Sequence, residues 1–211
     1  MEYDSVDDIV VPDEALEAEE GSGLLDDFSD DGDSVKPAEP AEQSADLGSD
    51  WESYTVQIND TVVTLPCTLA DLEATGATLD REYTPEDYVV NAGEYELAWF
   101  MDANGNELMI DMINNTDGPI ELKDCLVGGI TVYSYDVEDG NLTVIFPGGI
   151  QIGTAQEDVL AAYGEPDDTY EDAEYGNSYY WYAEDSFYNG CTIDTEAGTG
   201  LVESMSLNCM E

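Results

Sequence analysis

The chain has no histidine and only three basic residues, Lys36, Arg81 and Lys123, against 51 aspartates and glutamates, so its 211 residues carry a formal charge of −48. Without histidine the commonest general base, the Ser-His and Cys-His nucleophile pairs and the commonest zinc ligand are all missing. Enzymatic readings are left with carboxylate pairs, and among 51 acids no pair stands out. Without a basic patch the surface repels nucleic acid and anionic membrane alike, and neither is expected as a partner. No apolar run is long enough to span a bilayer, and no charged n-region leads into an apolar stretch. An export signal or lipid anchor, if the protein is exported, is therefore expected to have been removed or to lie outside this sequence.

What is present begins with the acidity, which has two readings. It can keep a soluble, secreted or surface-exposed monomer apart from its neighbours by self-repulsion. It can also solvate the protein in high salt or gather divalent cations loosely. Four cysteines, Cys67, Cys125, Cys191 and Cys209, are the next feature. None stands in a C-x-x-C pair, so no structural zinc site is expected, and an even number suits an oxidising compartment. By position, Cys67 pairs with Cys125 and Cys191 with Cys209, each pair within one unit of the chain. The alternative is four buried free thiols.

Residues 1–50 mix acidic runs at 7–8, 17–20 and 26–33 with glycine, serine, proline and alanine. Little apolar material lies there beyond residues 9–11, Leu24, Leu25 and Phe28, too little to offset the entropy of ordering, so a disordered tail is expected. Pro37 and Pro40 make residues 35–41 its stiff end. Order is expected from Trp51. Residues 54–58 and 62–65 alternate around Asn59-Asp60 as a hairpin, and Thr68, Asp71 and Gly76 bracket a short helix. Residues 88–90, 95–101, 108–113, 130–135 and 142–146 read as antiparallel strands separated by turns that include Asp102 to Asn106 and Glu138 to Gly140.

Residues 146–166, FPGGIQIGTAQEDVLAAYGEP, carry the clearest punctuation. Thr154 with Glu157 spells a capping box; Val159, Leu160 and Tyr163 share a helical face; Gly164 and Pro166 end the run. An acidic loop is expected over residues 167–174. Strands follow over 177–183, 187–194 and 201–208, with turns at Glu184-Asp185 and residues 197–200. The fold class is thus α+β: an antiparallel sheet with two short helices packed on it, after a disordered acidic tail over 1–50. It divides into a mostly β unit over 51–140 and a helix-on-sheet unit over 141–211. Both halves run from strand to short capped helix to antiparallel strands, the order that two related helix-on-sheet units would show.

The motif formed by Ile152, Gly153, Thr154, Val159, Gly164 and Pro166, followed by Tyr/Trp strands and Val202-Glu203-Ser204-Met205, resembles the SmpA/OmlA outer-membrane lipoprotein module and the β-lactamase inhibitory protein repeat. That likeness covers about residues 146–207. From Trp51 onward the arrangement looks like uncharacterised secreted lipoproteins of Gram-positive gut bacteria, although no anchoring cysteine precedes Cys67. The resemblance implies a surface-exposed, non-catalytic binding domain that presents a sheet face to another protein. No inhibitor contact residue carries over.

Candidate sites follow from this. Tyr179, Tyr180, Trp181 and Tyr182 form an aromatic run in which alternation sends Tyr180 and Tyr182 to one face and Tyr179 and Trp181 to the other. The outward pair offers a contact for a protein or a glycan. Asp102 to Glu107 lacks EF-hand spacing and reads as a hairpin turn. Residues 146–149 lack the phosphate-loop signature. Glu171, Asp172, Glu174, Glu184 and Asp185 form an acidic rim. No catalytic residue, metal or cofactor is expected. The leading reading is an extracellular or cell-surface binding domain, with a carboxylate-based hydrolase and a cation-dependent envelope protein as alternatives.

Overall fold

The structure, a computed structural model, describes residues 34–139, 141–184 and 186–211, with the side chain of Phe187 excepted. The acidic runs before residue 34, Leu24, Leu25 and Phe28 lie outside the described residues, as do Gly140 and Asp185 of two expected turns.

Alternation sets the strands. β1 (Thr55–Ile58) and β2 (Thr61–Thr64) make the hairpin expected at Asn59-Asp60, where Asn59 takes the left-handed turn conformation at φ 52. β3 (Cys67–Thr68) runs straight into α1 (Leu69–Glu73). The Thr68 hydroxyl accepts from the Asp71 N–H at 3.2 Å, as expected of an N-cap, while the Asp71 carboxylate accepts from the Thr68 N–H at 3.0 Å and makes the cap a capping box. Then come β4 (Thr78–Leu79), β5 (Val89–Val90), β6 (Tyr95–Met101), β7 (Glu107–Ile113), β8 (Ile120–Glu121), β9 (Leu126–Tyr133) and β10 (Val144–Ile145). After α2 (Gln156–Tyr163) follow β11 (Asp168–Asp172), β12 (Gly176–Ala183), β13 (Ser186–Thr195) and β14 (Val202–Asn208).

The fold is α+β and its strand pairing is antiparallel throughout the described residues. The main sheet has the order β11-β12-β13-β14-β9-β7-β6-β4, with β3 also paired to β9; β10-β1-β2 and β5-β8 are separate small sheets. Each helix is followed by strands that step inward from an edge, and the last strand of each run, β9 and β14, meets the other at the centre. The division expected near residue 140 therefore does not separate two sheets. Residues 34–211 form one compact unit.

One face of the long sheet carries the core. Phe100, Ile110, Ile130, Val132, Trp181, Ile193, Met205 and Leu207 alternate inward and meet Leu69 and Leu72 of α1 and Val159 and Tyr163 of α2. Both helices are short because their stability comes from this buried face rather than from length.

Four expectations need correction. First, the stretch read as an acidic loop is the edge strand β11, paired with β12 over five residues. Its carboxylates point away from the core, which suits an edge that must not recruit a neighbouring strand. Second, the tail read as disordered to residue 50 is hydrogen-bonded to the domain from Ser34 onward. Third, α2 begins at Gln156 with Ala155 as its N-cap, not at Thr154. The Thr154 hydroxyl instead accepts from the Gln151 N–H, and its carbonyl accepts from the Val202 N–H.

Fourth, the four cysteines are free and buried. Cys67 lies opposite Val127 and Cys191 opposite Leu207, so each expected partner is offset by two positions along the facing strand. Burial pushes the Cys67 thiol up to about 12 and the Cys125 thiol to about 11, and Cys191 and Cys209 are raised for the same reason. Reductant is therefore expected to leave the melting temperature unchanged, and a thiol reagent should label four cysteines in denaturant and none in the native protein. A large drop in melting temperature on reduction would contradict the free-thiol state.

Candidate functional site

The face of the long sheet opposite the core is crossed by straight lines of facing residues. In one row Tyr180, Thr192, Ser206, Thr131, Met109 and Trp99 are successive Cα partners from β12 to β6. Thr131 in this row is buried and the other five are half-buried. A parallel row joins Tyr182, Gly190, Asn208, Gly129, Asp111 and Leu97. The first row has an aromatic ring at each end and small hydroxyl side chains in the middle, where the Thr131 hydroxyl donates to that of Ser206 at 3.0 Å. Tyr170 and Tyr95 stand more than half exposed near the two flanks. Both helices lie on the other side, in the core.

The four aromatics of residues 179–182 are thus divided. Tyr179 and Trp181 belong to the core, at 4% and 2% exposure. Trp181 meets Tyr163 of α2 edge to face at 5.4 Å. Tyr180 and Tyr182 stack at 6.3 Å on the open face. The Tyr182 hydroxyl is pushed upward by partial desolvation and by the neighbouring Asp168 carboxylate. Sequence reasoning found this end of the row and missed the other. Trp99 was legible as an alternate position in ELAWFM and faces nearby Met109, but the row it ends reaches Tyr180 only across β7, β9, β14 and β13, a pairing no local pattern announces.

Acidic side chains around the face behave differently from one another. Asp136 is buried next to the stacked rings of Tyr133 and Tyr135 and accepts the Tyr133 N–H at 2.8 Å. Desolvation dominates, and Glu107 adds to it, raising the carboxyl to about 6 from an ordinary value near 4. An acid raised in the folded state contributes stability below its unfolded pKa and loses it as pH climbs through the folded value. The Asp136→Asn variant should therefore be more stable than the parent at pH 7 by about 1–2 kcal/mol and close to it at pH 4, since an amide oxygen can still accept from Tyr133. Urea unfolding at the two pH values checks this; equal effects at both would contradict it.

The remaining acidic features are occupied by the backbone. Asp102 accepts from the Asn104 and Asn106 N–H groups at 2.7 and 3.0 Å, as a hairpin turn requires. A cleft of about 420 Å³ between the start of α2 and the β13–β14 turn is lined by Glu157, Asp172 and Glu196. Asp172 is held low by the N–H groups of Glu174 and Tyr175, and Glu196 by Thr199, Val35 and Ser34. A carboxylate acid–base pair needs one member raised and one lowered, and here both of these shift down. Among the described residues no group of three metal-ligating side chains converges, and no helix is long and apolar enough to cross a membrane.

No family model, no curated protein and no solved structure matches this chain.

Proposed function

We propose that this chain is a non-catalytic interaction domain of a secreted or surface-exposed protein, which takes a protein ligand on the open face of its long sheet. The observation that carries the reading is the mirrored row from Tyr180 to Trp99. It follows from treating the two halves as related helix-on-sheet units. The N-cap of α1, Thr68, pairs with Leu126 just before Val127, and the N-cap of α2, Ala155, pairs with Leu201 just before Val202. Each of these fourth strands also shifts register beside the next residue, Gly128 or Glu203. Counting onward makes Thr131 the counterpart of Ser206, Met109 of Thr192 and Trp99 of Tyr180. Because Thr131 and Ser206 also face each other, an approximate two-fold axis passes between them.

The two aromatic posts are five strand steps apart, about 24 Å at the usual spacing. A rigid ring at each end of a row whose middle is Thr192, Ser206, Thr131 and the flexible Met109 suits a ligand that spans the whole row and anchors at both ends. The two rows carry Asp111 and no basic residue, in a chain of net charge −48, so the complementary ligand is a basic protein surface. Since the cysteines are free, they no longer argue for an oxidising compartment; the surface location rests on the acidity and the sequence resemblance.

A displayed peptide library selected on the full chain tests this reading. Selected peptides should be basic, and Tyr180→Ala or Trp99→Ala should each weaken their binding by about tenfold or more without lowering stability noticeably. Peptides whose binding ignores both substitutions would place the site elsewhere. A glycan-array signal lost in both variants would keep the face and replace the protein ligand by a sugar.

A further inference from the structure

The segment that precedes β1 is itself held by the domain. Between residues 35 and 47 every third residue is half-buried, namely Val35, Ala38, Ala41, Ser44 and Leu47, and all those between are exposed. Three residues per turn is the repeat of a polyproline II segment, which Pro37 and Pro40 favour, and the prolines face solvent while Ala38, Ala41 and Ser44 face the domain between the larger Val35 and Leu47. No regular hydrogen bonding exists within residues 34–44; their backbone is read by the domain instead. The Ala38 N–H donates to the Gly153 carbonyl at 2.8 Å, and the Gln151 amide donates to the Glu39 carbonyl at 2.7 Å. The Val35 N–H donates to Glu196 at 3.1 Å.

Gln57 is the decisive residue. It sits in the wholly buried strand β1 at 3% exposure, where an unpaired amide is costly. Its Nε2 donates to the Glu42 carbonyl at 2.9 Å and its Oε1 accepts from the Ser44 N–H at 2.8 Å, so its two ends grip the segment two residues apart. The floor is equally specific. A Cβ at Gly153 would overlap the Lys36 carbonyl oxygen and stand 2.7 Å from the Ala38 nitrogen. Apart from Ser34, the segment contributes no side-chain hydrogen bond to this contact among the described residues.

We propose that Gln57, Gln151, Gly153 and Glu196 form a binding groove for an extended peptide that turns every third residue inward, with small residues at the central inward positions, as Ala38, Ala41 and Ser44 are. Residues 34–47 are its tethered ligand, and the same segment of a second copy of the chain takes their place when they are displaced. Recognition through backbone groups and residue size does not distinguish the two copies. Tethering alone, equivalent to a millimolar local concentration, keeps the chain's own segment bound in dilute solution.

The test uses the full chain carrying Ala38→Tyr and Ala41→Tyr, whose own segment no longer fits, and a labelled synthetic peptide of residues 34–47 followed by fluorescence anisotropy. The variant should bind the peptide at least about tenfold more tightly than the unaltered chain, where the tether competes. Adding Gly153→Val to the variant should abolish binding, and a peptide bearing the same two tyrosines should not bind. A folded double variant that ignores the peptide, or that binds both peptides equally, overturns the proposal. Should the variant not fold, hydrogen exchange on the unaltered chain decides. The Ala38 amide is expected to exchange by local opening, well before the amides of β9; exchange of both only through global unfolding would make the segment an integral part of the fold and the proposal wrong.

Discussion

The Trp181→Ala variant is expected to lose about 3–5 kcal/mol of unfolding free energy, measured by urea denaturation. Trp181 is 2% exposed and stands between Tyr179 of its own strand, at 6.3 Å, and Tyr163 of α2. Tyr163 is fixed in turn by the hydrogen bond from its hydroxyl to the Pro147 carbonyl at 2.8 Å. Removing the indole leaves a cavity between helix and sheet that neither neighbour can close, because one is in a paired strand and the other is pinned at its far end. The indole N–H has no partner among the described residues. Trp181→Phe therefore removes volume but also an unpaired buried donor, and its cost should stay at about 1–2 kcal/mol. A loss below 1 kcal/mol for the alanine variant would mean that α2 does not dock as described.

Comparable in size is the expected effect of Gly176→Ala. Gly176 starts β12 with φ 94, and a Cβ there would overlap the Thr195 carbonyl oxygen and lie 3.0 Å from the Thr195 carbon. Those are backbone atoms of β13 and cannot swing aside as a side-chain terminus would. Gly164 supplies the control: its φ is 79, but a Cβ would meet nothing within 4 Å among the described residues. Gly164→Ala should therefore cost about 1 kcal/mol from backbone strain alone, and Gly176→Ala about 3 kcal/mol or more from strain plus overlap. Equal melting temperatures for the two variants would remove the close approach between β12 and β13.

The contrast between these glycines also marks what the sequence made legible. Gly164 announces itself as a helix stop in AAYGEP, because its role is local. Gly176 and Gly153 do not, since each is required by a strand or segment far off in the chain. The same distinction separates the other successes and failures. Alternation in YELAWFM and capping at Thr68 are local and were read correctly. The Thr154 cap was misread because Val202 and Gln151 claim that residue's carbonyl and hydroxyl. β11 was missed because Asp168, Glu171 and Asp172 disguise a strand that has no core-facing duty to fulfil. Residues 34–47 fell within the tail expected to be disordered over 1–50 because their composition cannot build a core, and it does not have to: the core was built by others, and the segment only lies on it.

For the binding face the gap is one of register. Tyr180 was visible beside Trp181, but nothing in the sequence places Thr131 against Ser206, or Met109 between Thr131 and Trp99. The correspondence between LVGGITV and LVESMSL amounts to two identical residues at the start. It becomes meaningful only when both stretches are seen as central strands with a register shift at the third position. The disulfide expectation failed for the same reason, since one fixed register sets Cys191 against Leu207 rather than Cys209.

Amide chemical-shift mapping of the full chain with a peptide selected on it measures the central claim most directly. The account expects the perturbed amides to line the open face, with Trp99, Met109, Thr131, Ser206, Thr192 and Tyr180 moving together and the two ends affected to a similar degree. Perturbations confined to the Glu157–Asp172–Glu196 cleft, or to residues 34–47 and their groove, would contradict it and take the ligand off the sheet.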